Sequence, residues 1–261
     1  MNTRAYYDST IADFLIEAPS SIIGKLATHH SQDLVQLQTN AWLSQIENLK
    51  RALSSFSSLQ NTIFFEFGIP RMGKRADVVL VVDGLVFILE FKVGAKTYER
   101  HDKNQTLDYA LDLKNFHEGS HHACIVPILV ATQAQSYALE EQGYNISSDG
   151  LADLLCTNSC NLSELLTHCL SIWANASNDN QYQALNDGFA WAATPYKPTP
   201  TIVQAAQALY QGHKVEEISR NDAGAKNLSE TAETINAVIE RAKAQKEKAI
   251  CFVTGVPGAG K

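Results

Sequence analysis

The clearest chemical possibility in the chain rests on Asp77, Glu90 and Lys92. They belong to RADVVLVV-DG-LVFILEFKV, two apolar runs joined by Asp83-Gly84. Asp-Gly between β-forming residues is a strong signal for a two-residue hairpin turn. With that turn Val82 faces Leu85, and counting outward sets Asp77 opposite Glu90 and Arg75 opposite Lys92. Side chains alternate along a strand, so Glu90 and Lys92 share a face and Phe91 points away. Directly opposed β-carbons lie about 4.5–5.5 Å apart. Two carboxylates at that distance repel unless a cation lies between them, and all-oxygen ligation suits Mg²⁺ or Mn²⁺. The alternative is that both acids sit at strand ends in water. The metal reading depends on the register, which a longer or bulged turn would shift.

The elements around the hairpin must position these groups. Downstream, DKNQTLDYALDLKNFH predicts a helix over 102–117, where Gln105 and Tyr109 are four apart and share a face. They could lean back over the strand carrying Lys92, or Tyr109 could simply pack with its hydroxyl at an edge. Upstream, Leu34, Leu37, Trp42, Leu43, Ile46, Leu49, Leu53 and Phe56 give helical spacing over 31–57, with Ser31 as N-cap. NTIFFEFGIP reads as a strand closed by Gly68 and Pro70, and CIVPILVA as a buried strand. The order is α-β-β-β-α-β, followed by an amphipathic helix over 161–175.

Composition bounds the function. The chain has 261 residues, 45% of them apolar and 19% charged, a globular profile with enough length for a substantial core. A net charge of −7 argues against binding nucleic acid through bulk electrostatics. Even so, Arg71, Lys74, Arg75, Lys92, Lys96, Arg100 and Lys103 crowd into one stretch, while none of the residues between Lys114 and Lys197 is Lys or Arg. That basic island is either a phosphate-contacting strip or a solvated surface. No targeting peptide opens the chain, and its longest apolar run is too short to span a bilayer. The five cysteines show no disulfide framework, so the expected location is a reducing cytoplasm. Cys156, Cys160, Cys169 and His168 lack paired zinc-ligand spacing, and the cysteines read as buried thiols. The pairs His29-His30 and His121-His122 are adjacent residues that point in different directions.

Pro195, Pro198 and Pro200 mark a boundary, because none of them can continue a helix. Beyond it, TIVQAAQALYQG and residues 227–247 read as helices, and KAICFVTG as a strand. That strand runs into Gly255-Val256-Pro257-Gly258-Ala259-Gly260-Lys261, which fits G-x-x-x-x-G-K. Its N–H groups would cradle nucleotide phosphates, with Lys261 reaching the terminal ones. The Ser or Thr that binds Mg²⁺ and the helix expected to follow are not in the sequence, so ATP hydrolysis by these residues alone is not expected.

Asp77, Glu90-Phe91-Lys92 and Gln105-Thr106-Leu107-Asp108-Tyr109 together resemble the PD-(D/E)XK nuclease pattern with the QxxxY motif of RecB-type nucleases. The resemblance spans roughly residues 30–130, and Ala76 stands where the family name has proline. It implies a restriction-endonuclease-like core, a mixed sheet flanked by helices. It also implies roles. Asp77, Glu90 and the Phe91 carbonyl would hold Mg²⁺ or Mn²⁺, and Lys92 would orient or help deprotonate a water. Gln105 would fix the groups around the metal, and Tyr109 would contact the nucleic-acid backbone. A further acid would come from Glu66 on the first strand or Glu47 on the first helix, with Glu66 favoured.

The segments YKPTPTIVQAAQALY, EEISRNDAGAKNLSET and VTGVPGAGK look similar to the start of a Schlafen-type predicted DNA/RNA helicase domain. That resemblance implies a nuclease-like domain over 1–190 and the N-terminal part of a P-loop domain over 191–261, truncated at Lys261. The missing motor would use ATP in the longer chain. The expectation is a metal-dependent nuclease acting on nucleic acid, DNA more than RNA, in repair or phage defence. The alternatives are a non-cleaving clamp with the same fold and, more remotely, a nucleotide-binding regulator.

Overall fold

The computed structural model describes residues 4–29, 36–58, 60–69, 73–174, 184–196, 222–245 and 247–251. The glycine loop with Gly255, Gly258, Gly260 and Lys261, the stretch 197–221, Arg71 and His30 lie outside the described residues. Of the expected strand KAICFVTG, residues 248–251 carry no regular structure and the rest is likewise outside.

A six-stranded mixed sheet, in spatial order β1 to β6, forms the centre of the fold. Its strands are β1 (Tyr7–Thr10), β2 (Thr62–Ile69), β3 (Lys74–Val82), β4 (Leu85–Lys92), β5 (Ile125–Ala131) and β6 (Leu155–Thr157). The first four strands are antiparallel neighbours, whereas β4, β5 and β6 run parallel. A parallel pair needs a crossover, and α4 (Arg100–Phe116) supplies it between β4 and β5. The helices before and after are α1 (Ile11–Ile16), α2 (Pro19–Ala27), α3 (Gln36–Ala52), α5 (Leu162–Trp173) and α6 (Gly188–Ala193), and a further helix covers Asp222–Gln245. The expected α-β-β-β-α-β order is α3-β2-β3-β4-α4-β5. The short strands β1 and β6 extend it on both sides.

The hairpin turn is the one its sequence predicts. Asp83 and Gly84 both take positive φ, 46° and 87°, as a turn matched to strand twist requires. The β3–β4 ladder then runs from Val82–Leu85 to Val78–Leu89.

Alternation along the strands divides the apolar residues into two layers. Trp42, Ile46 and Leu49 of α3, with Leu53 just past its end, bury one stripe against Phe65, Val78, Leu80, Phe87, Leu89 and Phe91. Tyr109, Ala110 and Leu113 of α4 cover the opposite face, with Val79, Val81, Val86 and Ile88. Each fully buried side chain of this size contributes roughly 1.5–3 kcal/mol, so both layers hold the sheet firmly. Lys50 fixes α3 to α1 by donating to the carbonyls of Phe14, Leu15 and Glu17 at 2.6, 2.8 and 2.7 Å. Those carbonyls lie at the end of α1, where a helix leaves acceptors unmatched and favours a cation.

The sheet body extends past residue 190, the boundary expected from sequence. Trp191 packs on Phe67 of β2, and Tyr196 bridges to His117 at the end of α4. Gly188 lets α6 approach this closely: a β-carbon there would meet Thr62 Oγ1 at 1.9 Å.

Candidate active site

The regular β3–β4 ladder stops one rung short of the expected Asp77–Glu90 pair and does not reach the expected Arg75–Lys92 pair. On one side of β3 it ends at Val78–Leu89, before Asp77 and Glu90. On the other, β2 pairs Phe65 with Val78 and Phe67 with Ala76, passing over Glu66 and Asp77. Glu66 has φ of 51°, a left-handed conformation that side chains with a β-carbon rarely adopt. The side-chain alternation breaks there as well. Phe65 faces the α3 layer, yet Phe67, two residues on, belongs to the α4 layer. At this irregular rung the backbone finds side-chain partners. Phe91 N–H donates to Asp77 Oδ2 at 2.8 Å.

Glu90 and Lys92 share the α4 face, while Phe91 lies in the α3 layer, as alternation requires. Glu90 is 3% exposed. Its Oε1 accepts from Lys92 Nζ at 3.1 Å and from Gln105 Nε2 at 2.9 Å. Gln105 Nε2 also donates to Tyr109 Oη at 2.8 Å, and Gln105 Oε1 accepts from Lys92 Nζ at 3.1 Å. Asp102, on the first turn of α4, places Oδ1 3.2 Å from Lys92 Nζ. The lysine therefore has three acceptors around it. Against this background one atom stands out: Glu90 Oε2 is buried without a hydrogen bond of normal geometry, although the Asp77 backbone N–H lies near enough to the Glu90 carboxyl to act on it.

Glu66 joins this group from β2. Its Oε1 accepts from Trp42 Nε1 at 2.9 Å and from Gln38 Nε2 at 3.4 Å, both on α3. A buried indole needs an acceptor for its N–H, and the turned-over Glu66 provides it.

The electrostatics follow from burial. Asp77 is held well above the usual carboxylate range by desolvation and then by Glu90, with Glu66 adding to the effect. Desolvation also raises Glu90, although Lys92 pulls it back. Burial lowers Lys92, but Glu90 and Asp102 outweigh it and hold the ammonium above its ordinary value. The arrangement therefore favours an ammonium at position 92 and at least one protonated carboxyl at the Asp77–Glu90 pair.

Several expectations come out differently in detail. Arg75 does not reach across to Lys92. Its guanidinium donates to the carbonyls of Glu66 and Arg4 at 2.5 and 3.2 Å and lies 3.8 Å over the Tyr6 ring. Tyr109 is only 2% exposed and orients Gln105 instead of facing outward to a nucleic-acid backbone. Glu47 is exposed on the solvent side of α3, so of the two extra acids only Glu66 lies with the pair. Asp102 was not anticipated, although positions 102, 105 and 109 follow one face of a helix and could have drawn attention to it.

Among the described residues, no three or more His, Cys, Asp or Glu side chains converge in a group able to hold a metal ion. Of the three cysteines expected to be buried, Cys156 and Cys169 are, with burial pushing the Cys169 thiol up to about 12, whereas Cys160 is exposed. The donor chemistry of Asp77 and Glu90 nonetheless fits a hard divalent cation. Glu90 Oε2 is a buried carboxyl oxygen without a hydrogen bond of normal geometry, and Mg²⁺ commonly takes one or two carboxylates and completes its shell with water and phosphate oxygens.

Among the described residues no helix is long and apolar enough to cross a membrane. Compared with family models, with curated proteins and with solved structures, the chain matches none.

Proposed function

We propose that this chain is a metal-dependent nuclease module that hydrolyses phosphodiester bonds of nucleic acid, DNA in preference to RNA. The observation that carries the reading is the buried Glu90 Oε2, which makes no hydrogen bond of normal geometry, while Oε1 of the same carboxyl is held by Lys92 and Gln105. Buried polar atoms without partners are uncommon, and each calls for a ligand or a strain to explain it. The order α3-β2-β3-β4-α4-β5 supports a restriction-endonuclease-like core, as does the junction of the hairpin with the Gln105–Tyr109 helix. The Gly255–Lys261 loop supports nucleotide phosphates as ligands of an adjoining ATP-driven helicase portion, on sequence grounds alone.

Asp77 and Glu90 would hold Mg²⁺ or Mn²⁺ together with the Phe91 carbonyl. A bound divalent cation supplies Lewis acidity to the scissile phosphate and acidifies water. The chain's own residues do the rest. Phe91 N–H keeps Asp77 oriented, and the Gln105 amide bridges Glu90 Oε1 and Lys92 Nζ. Tyr109 fixes the Gln105 amide. Lys92, kept as an ammonium by Glu90 and Asp102, offsets charge that builds on the phosphate; it is poorly suited to remove a proton from water.

A non-cleaving clamp is the second reading. It draws on the absence, among the described residues, of any group of three or more His, Cys, Asp or Glu side chains able to hold a metal ion, even with Glu66 beside the pair. Incubating the chain with single- and double-stranded DNA and RNA and Mg²⁺ or Mn²⁺ separates the two. The expected result is cleavage by the wild type and loss of cleavage in Glu90→Ala and Lys92→Ala. Binding without cleavage of any substrate would establish the clamp.

A further inference from the structure

At the carboxyl ends of the parallel strands β4 and β5 the chain enters two loops that are stitched together. Thr132 N–H donates to the Lys92 carbonyl at 3.2 Å, Gln133 N–H to the Ala95 carbonyl at 3.0 Å, and Gly94 N–H to Thr132 Oγ1 at 2.8 Å. Each loop then carries one tyrosine, Tyr98 and Tyr137, and their rings stack with centroids 5.2 Å apart at 26°. Tyr137 leaves 42% of its surface exposed, which is unusual for a ring already stacked on a neighbour. Beside it lies a hollow of about 200 Å³ whose lining includes Ser136, Gln142 and Asn161 and the carboxylates Glu140 and Glu164, so phosphates are directed to the Lys103 side of the ring and not into the hollow.

This stack lies next to the candidate active site. Lys103 Nζ is 5.8 Å from the Tyr137 ring centroid. The residue before it, Asp102, contacts Lys92 at 3.2 Å. The region beyond the carboxyl ends of parallel strands is where α/β sheets commonly bind ligands. Lys103 beside Tyr137, with exposed Lys96 and Arg100 each two residues from Tyr98 in the chain, suits a polyanion. At 5.8 Å Lys103 is at the outer limit of a cation–π contact, so the ring holds it only weakly and it can turn to a phosphate. An exposed aromatic face with cations beside it is the usual platform for an unpaired base, since every base offers a π face and its backbone offers charge.

We propose that Tyr137, backed by Tyr98, stacks an unpaired base of a single-stranded nucleic acid while Lys103 meets the adjoining phosphate, so that the site takes single strands or frayed ends in preference to intact duplex. The inference rests on the nuclease reading for its substrate and adds a binding subsite to it. A duplex keeps its bases stacked on each other and cannot present one to Tyr137 without unpairing.

The test is fluorescence anisotropy of the 261-residue chain with a labelled oligo-dT, the same oligomer with abasic sites, and a duplex, in EDTA so that nothing is cut. The abasic strand keeps the phosphates and removes the bases. Wild type is expected to bind oligo-dT about 5- to 100-fold more tightly than the abasic strand. Tyr137→Ala should abolish that preference and Tyr137→Phe should keep it. Lys103→Ala should weaken both strands alike and lower the salt dependence by about one charge. Circular dichroism establishes that each variant is folded. Equal binding of the two strands by wild type, an unchanged preference in folded Tyr137→Ala, or no binding at all overturns the proposal. A base preference without cleavage in Mg²⁺ overturns the nuclease reading and leaves the platform standing. Cleavage without a base preference does the reverse.

Discussion

Two polar clusters lie on the α4 side of the sheet, and they are built to opposite standards. Around His117, which is fully buried, every ring nitrogen has a partner: Ser120 Oγ at 2.7 Å from Nδ1 and Thr194 Oγ1 at 2.9 Å from Nε2. Trp191 Nε1 donates to Ser120 Oγ at 3.1 Å, and Thr194 Oγ1 donates to the Trp191 carbonyl at 2.8 Å. These partners suit a neutral ring in which Ser120 donates to Nδ1 and Nε2–H donates to Thr194. Burial pushes His117 down to about 3, in keeping with that. Around Glu90 the neighbours are just as close, yet Oε2 is left over and the carboxyl is raised. A closed network stabilises one packing, whereas a network with a charge-bearing atom to spare is set up for something that arrives later.

Substitutions in the two clusters should therefore give opposite signatures. The largest effect is expected from Glu90→Gln: cleavage falls by about 10³-fold or more, while thermal stability holds or rises because a buried carboxylate is removed. An equal loss of stability, seen by calorimetry, would erase the contrast. Next comes His117→Ala, which leaves a cavity and unmatched hydroxyls. It should cost about 2–4 kcal/mol in denaturant unfolding with unchanged activity per folded molecule.

The pH dependence of stability sharpens the same comparison. An unfolded histidine titrates near 6.5 and folded His117 at about 3, so between those values the unfolded state binds the extra proton. Its contribution is complete above 6.5 and is lost as pH falls, at up to about 1.4 kcal/mol per pH unit. His117→Gln should flatten the slope, measured as unfolding midpoint against pH. The smallest effect is expected from Trp42→Phe, which removes the indole donor to Glu66 Oε1. A loss of about 1–3 kcal/mol is expected, with cleavage reduced less than in Glu90→Gln.

Much of the frame was legible in the residues. The runs TIFFEFGI, KRADVVLVV, LVFILEFK and IVPILVA read as strands because β-branched and aromatic residues fill them, and the Asp-Gly turn set the register correctly as far as Val78–Leu89. The shared face of Gln105 and Tyr109 was also readable from spacing. What escaped is local and irregular. The left-handed Glu66 and the rung passed over beside Asp77 break the period on which strand reading depends. β1 and β6, four and three residues long, are too short to give a pattern. The ties of His117 to Thr194 and of Asp102 to Lys92 form only once the chain is folded. The lack of a normal hydrogen bond at Glu90 Oε2 is a property of packing, which no spacing reveals.

The central claim is that Glu90 Oε2 and Asp77 await a divalent cation, and Mn²⁺ titration by calorimetry at two pH values tests it most directly. Both carboxyls are raised, so a metal must displace protons from them and affinity should climb with pH. The expected result is one Mn²⁺ per chain, bound more tightly at the higher pH, lost in Glu90→Gln and kept in His117→Gln. Equal Mn²⁺ binding by wild type and Glu90→Gln, or none by either, would contradict the account.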